Sequence, residues 1–354
     1  MSTIPISVCI IAKNEEKNIE RCLSSLAPYG FEIVVVDTGS TDRTKELAAK
    51  YTDRIYDFEW VNDFSAARNF SLEKASNNWI FMMDCDEWIE SIDLEEMDYF
   101  RKHLSDTAGS VVRRSTTGTP EKTSLSTDYT ERLFSRKNYH YTGIIHEQLT
   151  PKHGGEIKVL ILNTVIGHSG YCMTEEERNA KSMRNAELLL KQLESDPHNP
   201  YVYYQLGKSY QIIDDHEQAC YYFEKALGFN IDPKLLYVQD LIVHYGYELL
   251  ENNQKEKALA LQAVYEDFSS NADFVYMMGL IYRDNMMYKE ALQEFLKALN
   301  FDFCIADGVN SYRSYYQIGC ILKQAGEKEK ACDYFRLCGD YSPALYELSQ
   351  LEQA

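Results

Sequence analysis

Two hydrophobic periods divide the chain. From residue 6 to about 115, unbroken apolar runs alternate with helically spaced ones. ISVCIIA (6–12) is continuous and rich in β-branched residues, which suits a buried strand. KNEEKNIERCLSSLAP follows it and sets Ile19, Cys22, Leu23 and Leu26 at helical spacing. EIVVVD (32–37), RIYDF (54–58) and WIFMMD (79–84) read as further strands. TDRTKELAAKY and FSAARNFSLEKAS (64–76) read as the helices between them. Such alternation predicts an α/β domain with a parallel sheet covered by helices on both faces. Sheets of this kind bind ligands beyond the carboxyl ends of their strands, where strand order reverses. Asp37 and Asp84 each end a predicted strand and so reach that crevice.

Residues 109 to 170 change character. SVVRRS, TERLFSR and IKVLILNTVIG predict antiparallel strands with longer loops. After about residue 174 the pattern is helical throughout, and it repeats. Leu206, Gly207, Tyr210, Ala219, Phe223 and Ala226 match the tetratricopeptide spacing. Met278, Gly279, Tyr282, Ala291, Phe295 and Ala298 give a second copy, and Ile318, Gly319, Ala331, Phe335 and Pro343 a third. A weaker copy holds Gly246 and Ala258. The glycines stand 39, 33 and 40 residues apart, so two connectors are longer than the ~34-residue unit requires. The predicted organisation is an α/β domain over 1–170, a linker helix over 171–198 and an all-α repeat domain over 199–354.

A net charge of −19 argues against a nucleic-acid backbone or an anionic membrane as main partner. Nucleotide binding is still open, because a metal or a helix start can hold phosphate inside an acidic protein. No run of 18 apolar residues occurs, so no transmembrane helix is expected, and the N-terminus lacks the basic start of a signal peptide. The nine cysteines are scattered without CxxC pairs, which fits free thiols in a reducing cytosol. A cytoplasmic location is the expectation.

The candidate chemistry gathers in the first half. FMMDCDEWIE (81–90) runs from an apolar strand into Asp84, Asp86 and Glu87. Carboxylates so close repel one another and call for a cation, a ligand or bulk water. On an extended chain Asp84 and Asp86 point the same way, so together they can hold Mg2+ or Mn2+. A calcium loop is excluded, since Trp88 and Ile89 stand where its third ligand and glycine belong. Three more segments lie near in the order of the chain: IIAKNEE with Lys13, Asn14 and Glu15, VVVDTGSTD with Asp37, Thr38 and Ser40, and AARN with Arg68 and Asn69. Singly, each also fits helix capping or a solvated helix face.

Taken in this order, the four segments resemble the family 2 glycosyltransferases of the GT-A fold over about residues 6–170. The resemblance implies a UDP-sugar donor, a divalent metal and inversion at the anomeric carbon. It places Asp37 near the base, Asp84 at ribose or metal, Asp86 on the metal and Arg68 toward the nucleotide. Lys13, Asn14, Glu15, Thr38, Ser40 and Asn69 complete the donor side, although many members carry a second Asp where this chain has Thr38. Glu87 is expected as an outer acid, and Trp88 as a pocket wall or a core anchor.

YTERLFSRKNYHYTGIIHEQL looks like the acceptor segment of the tetratricopeptide-bearing subgroup, with Arg132, Leu133, Phe134, His146 and Glu147. Glu147 is the first candidate for the base and His146 the second; both also fit a loop-tying role. His168 can complete the metal shell or be structural. The whole chain resembles bacterial peptide glycosyltransferases that modify Ser or Cys of bacteriocin precursors. The expected acceptor is a peptide or protein gripped by the repeats, and glucose is the first choice of hexose. The repeat array also suits packing against a second copy. The competing expectations are transfer to a cell-surface glycan or lipopolysaccharide core, and an inactive repeat scaffold.

Overall fold

The computed structural model describes residues 4–119, 122–169 and 174–353. The chain divides into two compact units, Met1–Lys181 and Ser182–Ala354. The first is built on β1 (Ile6–Ala12), β2 (Glu32–Asp37), β3 (Ile55–Asp57) and β4 (Trp79–Asp84), which pair in parallel in the order β3-β2-β1-β4. β5 (Glu87–Ser91), β6 (Ala108–Thr119), β7 (Lys122–Ser135) and β10 (Val159–His168) extend it to eight strands, ordered β3-β2-β1-β4-β7-β6-β10-β5. β8 (Tyr139–Thr142) and β9 (Gln148–Pro151) form a separate antiparallel pair.

The second half of the sheet departs from the antiparallel expectation in one respect that matters for function. β7 runs antiparallel to β4 and β6 antiparallel to β7, but β10 lies parallel to β6. Two reversals and one parallel step leave β10 pointing the same way as β4. Its last residue, His168, therefore reaches the same carboxyl edge as Asp37 and Asp84.

The strands alternate between two cores, as a period of two demands. Val8 and Ile10 of β1 and Phe81 and Met83 of β4 face one side, together with Leu23 and Leu26 of α1 (Ile19–Leu26). Cys9, Ile80 and Met82 face the other side with Leu72, Phe134 and Tyr141. A short α2 (Thr44–Ala48) follows β2, α3 (Phe64–Lys74) precedes β4, and α4 (Leu94–His103) follows β5. The Asp63 carboxylate starts α3 by accepting the Ala66 N–H at 2.9 Å. This fixes the helix that carries Arg68.

A long helix, α5 (Glu175–Ser195), leads into the second unit, where helix pairs repeat. The best formed are Pro200–Ile212 with His216–Leu227, Ala272–Asp284 with Tyr288–Ala298, and Tyr312–Gln324 with Lys328–Leu337. In the weak copy the second helix is broken into Lys255–Ala258, a 3-10 turn and Tyr265–Phe268. The repeat glycines exist for helix contact: a Cβ on Gly207, Gly279 or Gly319 would come within 2.3, 2.6 and 2.6 Å of Phe223, Phe295 and Phe335. Gly279→Ala gains helix propensity of up to about 1 kcal/mol but must displace a fully buried ring, at about 1–3 kcal/mol. We expect a net loss of roughly 1–2 kcal/mol, read as a lower denaturant midpoint of the full chain. No helix among the described residues is long and apolar enough to cross a membrane. The eight described cysteines are free thiols, and Cys172 lies outside the described residues.

Candidate active site

Asp37 and Asp84 stand at one level of the sheet edge. Asp37 is in register with Ala12 of β1, and Asp84 with Ile11 on the other side of the same strand. Two strand spacings separate them, about 10 Å. Asp37 is buried, and its Oδ2 accepts the N–H of Gly39 (3.1 Å) and of Ser40 (3.0 Å). Its Oδ1 is buried with no hydrogen-bond partner among the described residues.

The loops after β1 and β2 are laced together. Asn14, in the left-handed region (φ 55), donates its N–H to Ser40 Oγ at 2.9 Å and accepts the Thr41 N–H on Oδ1 at 2.8 Å. The Glu15 N–H meets Thr44 Oγ1 at 2.7 Å. Asn14, Glu15 and Ser40 thus shape the rim by joining two loops. Thr38 is buried and gives its hydroxyl to the Ala12 carbonyl (3.1 Å), so it ties β2 to β1. Lys13 is exposed beside them.

Beneath the other end of the edge lies a buried ion network. Arg68 Nη2 and Arg132 Nη2 each donate to Asp84 at 2.8 Å. Arg68 Nε also pairs with Glu147, and Arg132 with Glu87. Glu87 is fully buried, and it further accepts the Asp84 N–H at 2.9 Å. Burial works against the charge on Asp84, but Arg68 and Arg132 outweigh it and hold the carboxyl well below the usual range. Burial raises Glu87, with Arg132 opposing. Arg68 Nη1 and Arg132 Nε are buried without a partner among the described residues.

Asp84 and Asp86 do not point the same way. β4 ends at Asp84 and β5 begins at Glu87, so Cys85 and Asp86 form a turn that breaks the alternation of an extended strand. Asp84 turns to the two arginines. Asp86 turns to His168, whose Nε2 lies 3.2 Å from Asp86 Oδ2. The other ring nitrogen, Nδ1, is 3.0 Å from the Ser115 hydroxyl, which fixes the ring plane. An imidazole oriented through its second nitrogen and facing a carboxylate can serve as a hydrogen-bonded pair or, with a cation between them, as two metal ligands. Two protein ligands suit Mg2+ or Mn2+, which keep positions for water and phosphate oxygens. Among the described residues no group of three or more His, Cys, Asp or Glu surrounds one point. Asp86 and His168 are thus the two side chains that could hold a divalent ion there, with any further oxygens coming from outside the protein, since Asp84 is already engaged by Arg68 and Arg132.

The acceptor-side candidates sit on the segment before β9. His146 adopts a left-handed backbone (φ 51), and burial lowers its imidazole against the opposing pull of Glu147. The Glu147 side chain is 11% exposed. The segment is held at both ends by α3, through Phe64 N–H to Ile144 O at 2.8 Å and through Arg68 to Glu147. Asn69 has another task than donor contact: its amide brackets the Tyr141 main chain, accepting N–H at 2.9 Å and donating to O at 2.8 Å.

Three residues have roles that the sequence alone does not give them: Glu87 is expected there as an outer acid, Arg132 in the acceptor segment, and Ser115 in no role at all. Glu87 is a buried partner of Arg132 and not an outer acid, because β5 turns it inward. Arg132 supplies the counter-charge under Asp84; an arginine directly before Leu133 and Phe134 in a strand is its signal. Ser115 orients His168 and carries no local signal, since its role arises from the β6–β10 pairing.

Residues 7–155 match the family described as glycosyl transferase family 2, and residues 200–230 and 312–345 match a tetratricopeptide repeat. The chain is 27% identical over 300 residues to the SPbeta prophage-derived glycosyltransferase SunS of Bacillus subtilis, covering 81% of this chain and 69% of that protein. It is 26% identical over 293 residues to a TPR repeat-containing protein of Synechococcus elongatus, covering 80% and 71%. A shorter stretch of 91 residues is 35% identical to the lipopolysaccharide core biosynthesis glycosyltransferase LpsC of Rhizobium meliloti, covering 25% and 33%.

Proposed function

With residues 7–155 a family 2 glycosyltransferase domain and tetratricopeptide repeats behind it, we propose that this glycosyltransferase moves a hexose, glucose first, from a UDP-sugar to a Ser or Cys side chain of a peptide or protein. The observation that carries the reading is one edge of one sheet. It joins Asp37, with its unpartnered buried oxygen, to the Asp86–His168 pair. A buried carboxylate oxygen without a partner calls for a ligand donor, and the base or ribose of a nucleotide offers N–H and O–H groups. Arg68 Nη1 offers a buried cationic N–H to the donor phosphates.

Asp86 and His168 would hold Mg2+ or Mn2+, whose charge offsets the one that develops on the departing diphosphate. Arg68 and Arg132 keep Asp84 ionised and fixed at the mouth. The acceptor hydroxyl or thiol attacks the anomeric carbon opposite the leaving group, and its proton passes to Glu147. The bond from the sugar to UDP breaks as the new bond forms, with inverted configuration. Glu147 is held by Arg68 through Oε1, so its orientation is set before the acceptor arrives. His146 is kept toward its neutral form by burial and lines the same segment. The repeats supply the surface for a peptide segment.

The test is release of UDP from UDP-glucose by the full chain, with Mn2+ and after chelation. We expect metal-dependent turnover that Asp86→Asn lowers by about a hundredfold or more, as when a transition-state charge stabiliser is lost. If no UDP-sugar is bound or turned over, or if Asp86→Asn changes nothing, the proposal fails.

A further inference from the structure

Asp86 and His168 come from distant parts of the chain, so something must hold the ends of β4 and β10 in register. We infer that Arg21 of α1 and Trp88 of β5 are positioning residues for this metal-binding pair, together clasping the ends of β4 and β10. The inference rests on the metal reading above; it adds Arg21, which neither the motifs nor the ion network contains, and gives Trp88 a supporting task in place of a pocket wall.

Four contacts carry it. Gly167 lies opposite Trp88 in the antiparallel β10–β5 pair, and His168 lies opposite Glu87. A Cβ on Gly167 would fall 2.2 Å from Trp88 Cε2, so the indole rests on the backbone immediately before the histidine ligand. The same indole carries the Arg21 guanidinium, 3.9 Å from the ring centroid. Arg21 Nη2 then donates to Ser169 Oγ at 2.8 Å, on the residue immediately after the ligand.

Ser169 closes the loop to the other ligand. Its N–H donates to the Asp86 carbonyl at 3.0 Å, and its hydroxyl approaches the same oxygen at 3.3 Å. Thus both neighbours of His168 are fixed, one by the indole and one by Arg21, and the second of them is bonded to Asp86 itself. α1 makes a further tie where the Ile89 N–H donates to Ser25 Oγ at 3.0 Å. Ser115 sets the tilt of the imidazole ring, whereas the Arg21–Trp88–Ser169 clasp sets where its backbone stands. A ligand pair with few protein donors depends on such support, because nothing else in the coordination sphere corrects a displaced strand end.

Packing alone would also explain a helix touching a strand, so the readout must be the metal. Loss of the free Mn2+ signal in electron paramagnetic resonance measures binding directly, with the full chain and UDP present. Wild type should bind Mn2+ and Asp86→Asn should not. Arg21→Met should bind about tenfold more weakly, at the lower end of the range for outer-shell partners. Its affinity for UDP without metal should match wild type. Ser169→Ala, which leaves the indole stack intact, should weaken Mn2+ binding in the same direction; if Arg21→Met does not fold, this variant decides. Equal Mn2+ affinity in wild type and the variants would overturn the clasp and leave the metal site standing. A wild type that binds no Mn2+ with UDP would overturn the metal site, and the clasp with it.

Discussion

Replacing Glu147 with Gln is expected to lower hexose transfer to acceptor by roughly a hundred- to ten-thousand-fold, the range general-base catalysis supplies. The substitution keeps the size of the side chain and removes its ability to take a proton. Donor binding should survive. Arg68 loses one anionic partner but keeps Asp84, and the vacated charge leaves Arg68 more available to a diphosphate. The comparison that decides is His146→Gln. The two residues are adjacent, yet only Glu147 is paired with Arg68, and the buried imidazole is disfavoured in its charged form. Single-turnover transfer and UDP-glucose affinity should be measured for both variants. A Glu147→Gln enzyme within tenfold of wild type, beside a His146→Gln enzyme that has lost a hundredfold, would assign the proton to the imidazole.

Much of this site is legible in the sequence. Runs such as EIVVVD and WIFMMD end in acids, and an α/β pattern predicts where such ends meet. Asp37 and Asp84 do share one edge. The repeats are equally open, because Gly207, Gly279 and Gly319 each recur at the same distance from a Phe that needs the space. What stays hidden depends on pairings between distant strands. Nothing local says that β10 lies parallel to β6, and that direction alone brings Ser115 to His168 and His168 to Asp86. The alternation rule fails at Cys85 because it assumes an extended chain, and a turn there sends neighbouring acids to opposite partners. Charge misleads for a related reason: a fully buried Glu87 and an exposed acid look alike in sequence until Arg132 is placed.

Arg132→Met is expected to destabilise the protein by about 3–5 kcal/mol, the cost of removing one partner from a buried ion pair. Arg132 is buried and faces two carboxylates, Asp84 and Glu87. Asp84 keeps Arg68, and its side chain is still 31% exposed, so it can draw on water. Glu87 has no such recourse: it is fully buried, and beyond Arg132 its cationic partner is Arg113 at 3.8 Å. In the variant Glu87 answers by taking up a proton, so its carboxyl, already raised by burial, rises further. The sign of the pH dependence follows. A carboxyl whose folded pKa lies above its unfolded value contributes stability that is complete below the unfolded pKa and lost as pH rises through the folded one. The deficit of Arg132→Met relative to wild type should therefore be largest near neutral pH and shrink as the solution is made acidic. Adding Glu87→Gln to Arg132→Met should recover a substantial part of the loss, because the unpaired charge is then gone. Donor turnover should stay impaired in the double variant, since Asp84 would still lack one of the two guanidiniums that hold it. Denaturant titrations of wild type and both variants between mildly acidic and neutral pH test the scheme. A deficit that does not change with pH, or a double variant no more stable than Arg132→Met, would show that Glu87 is not the group left stranded.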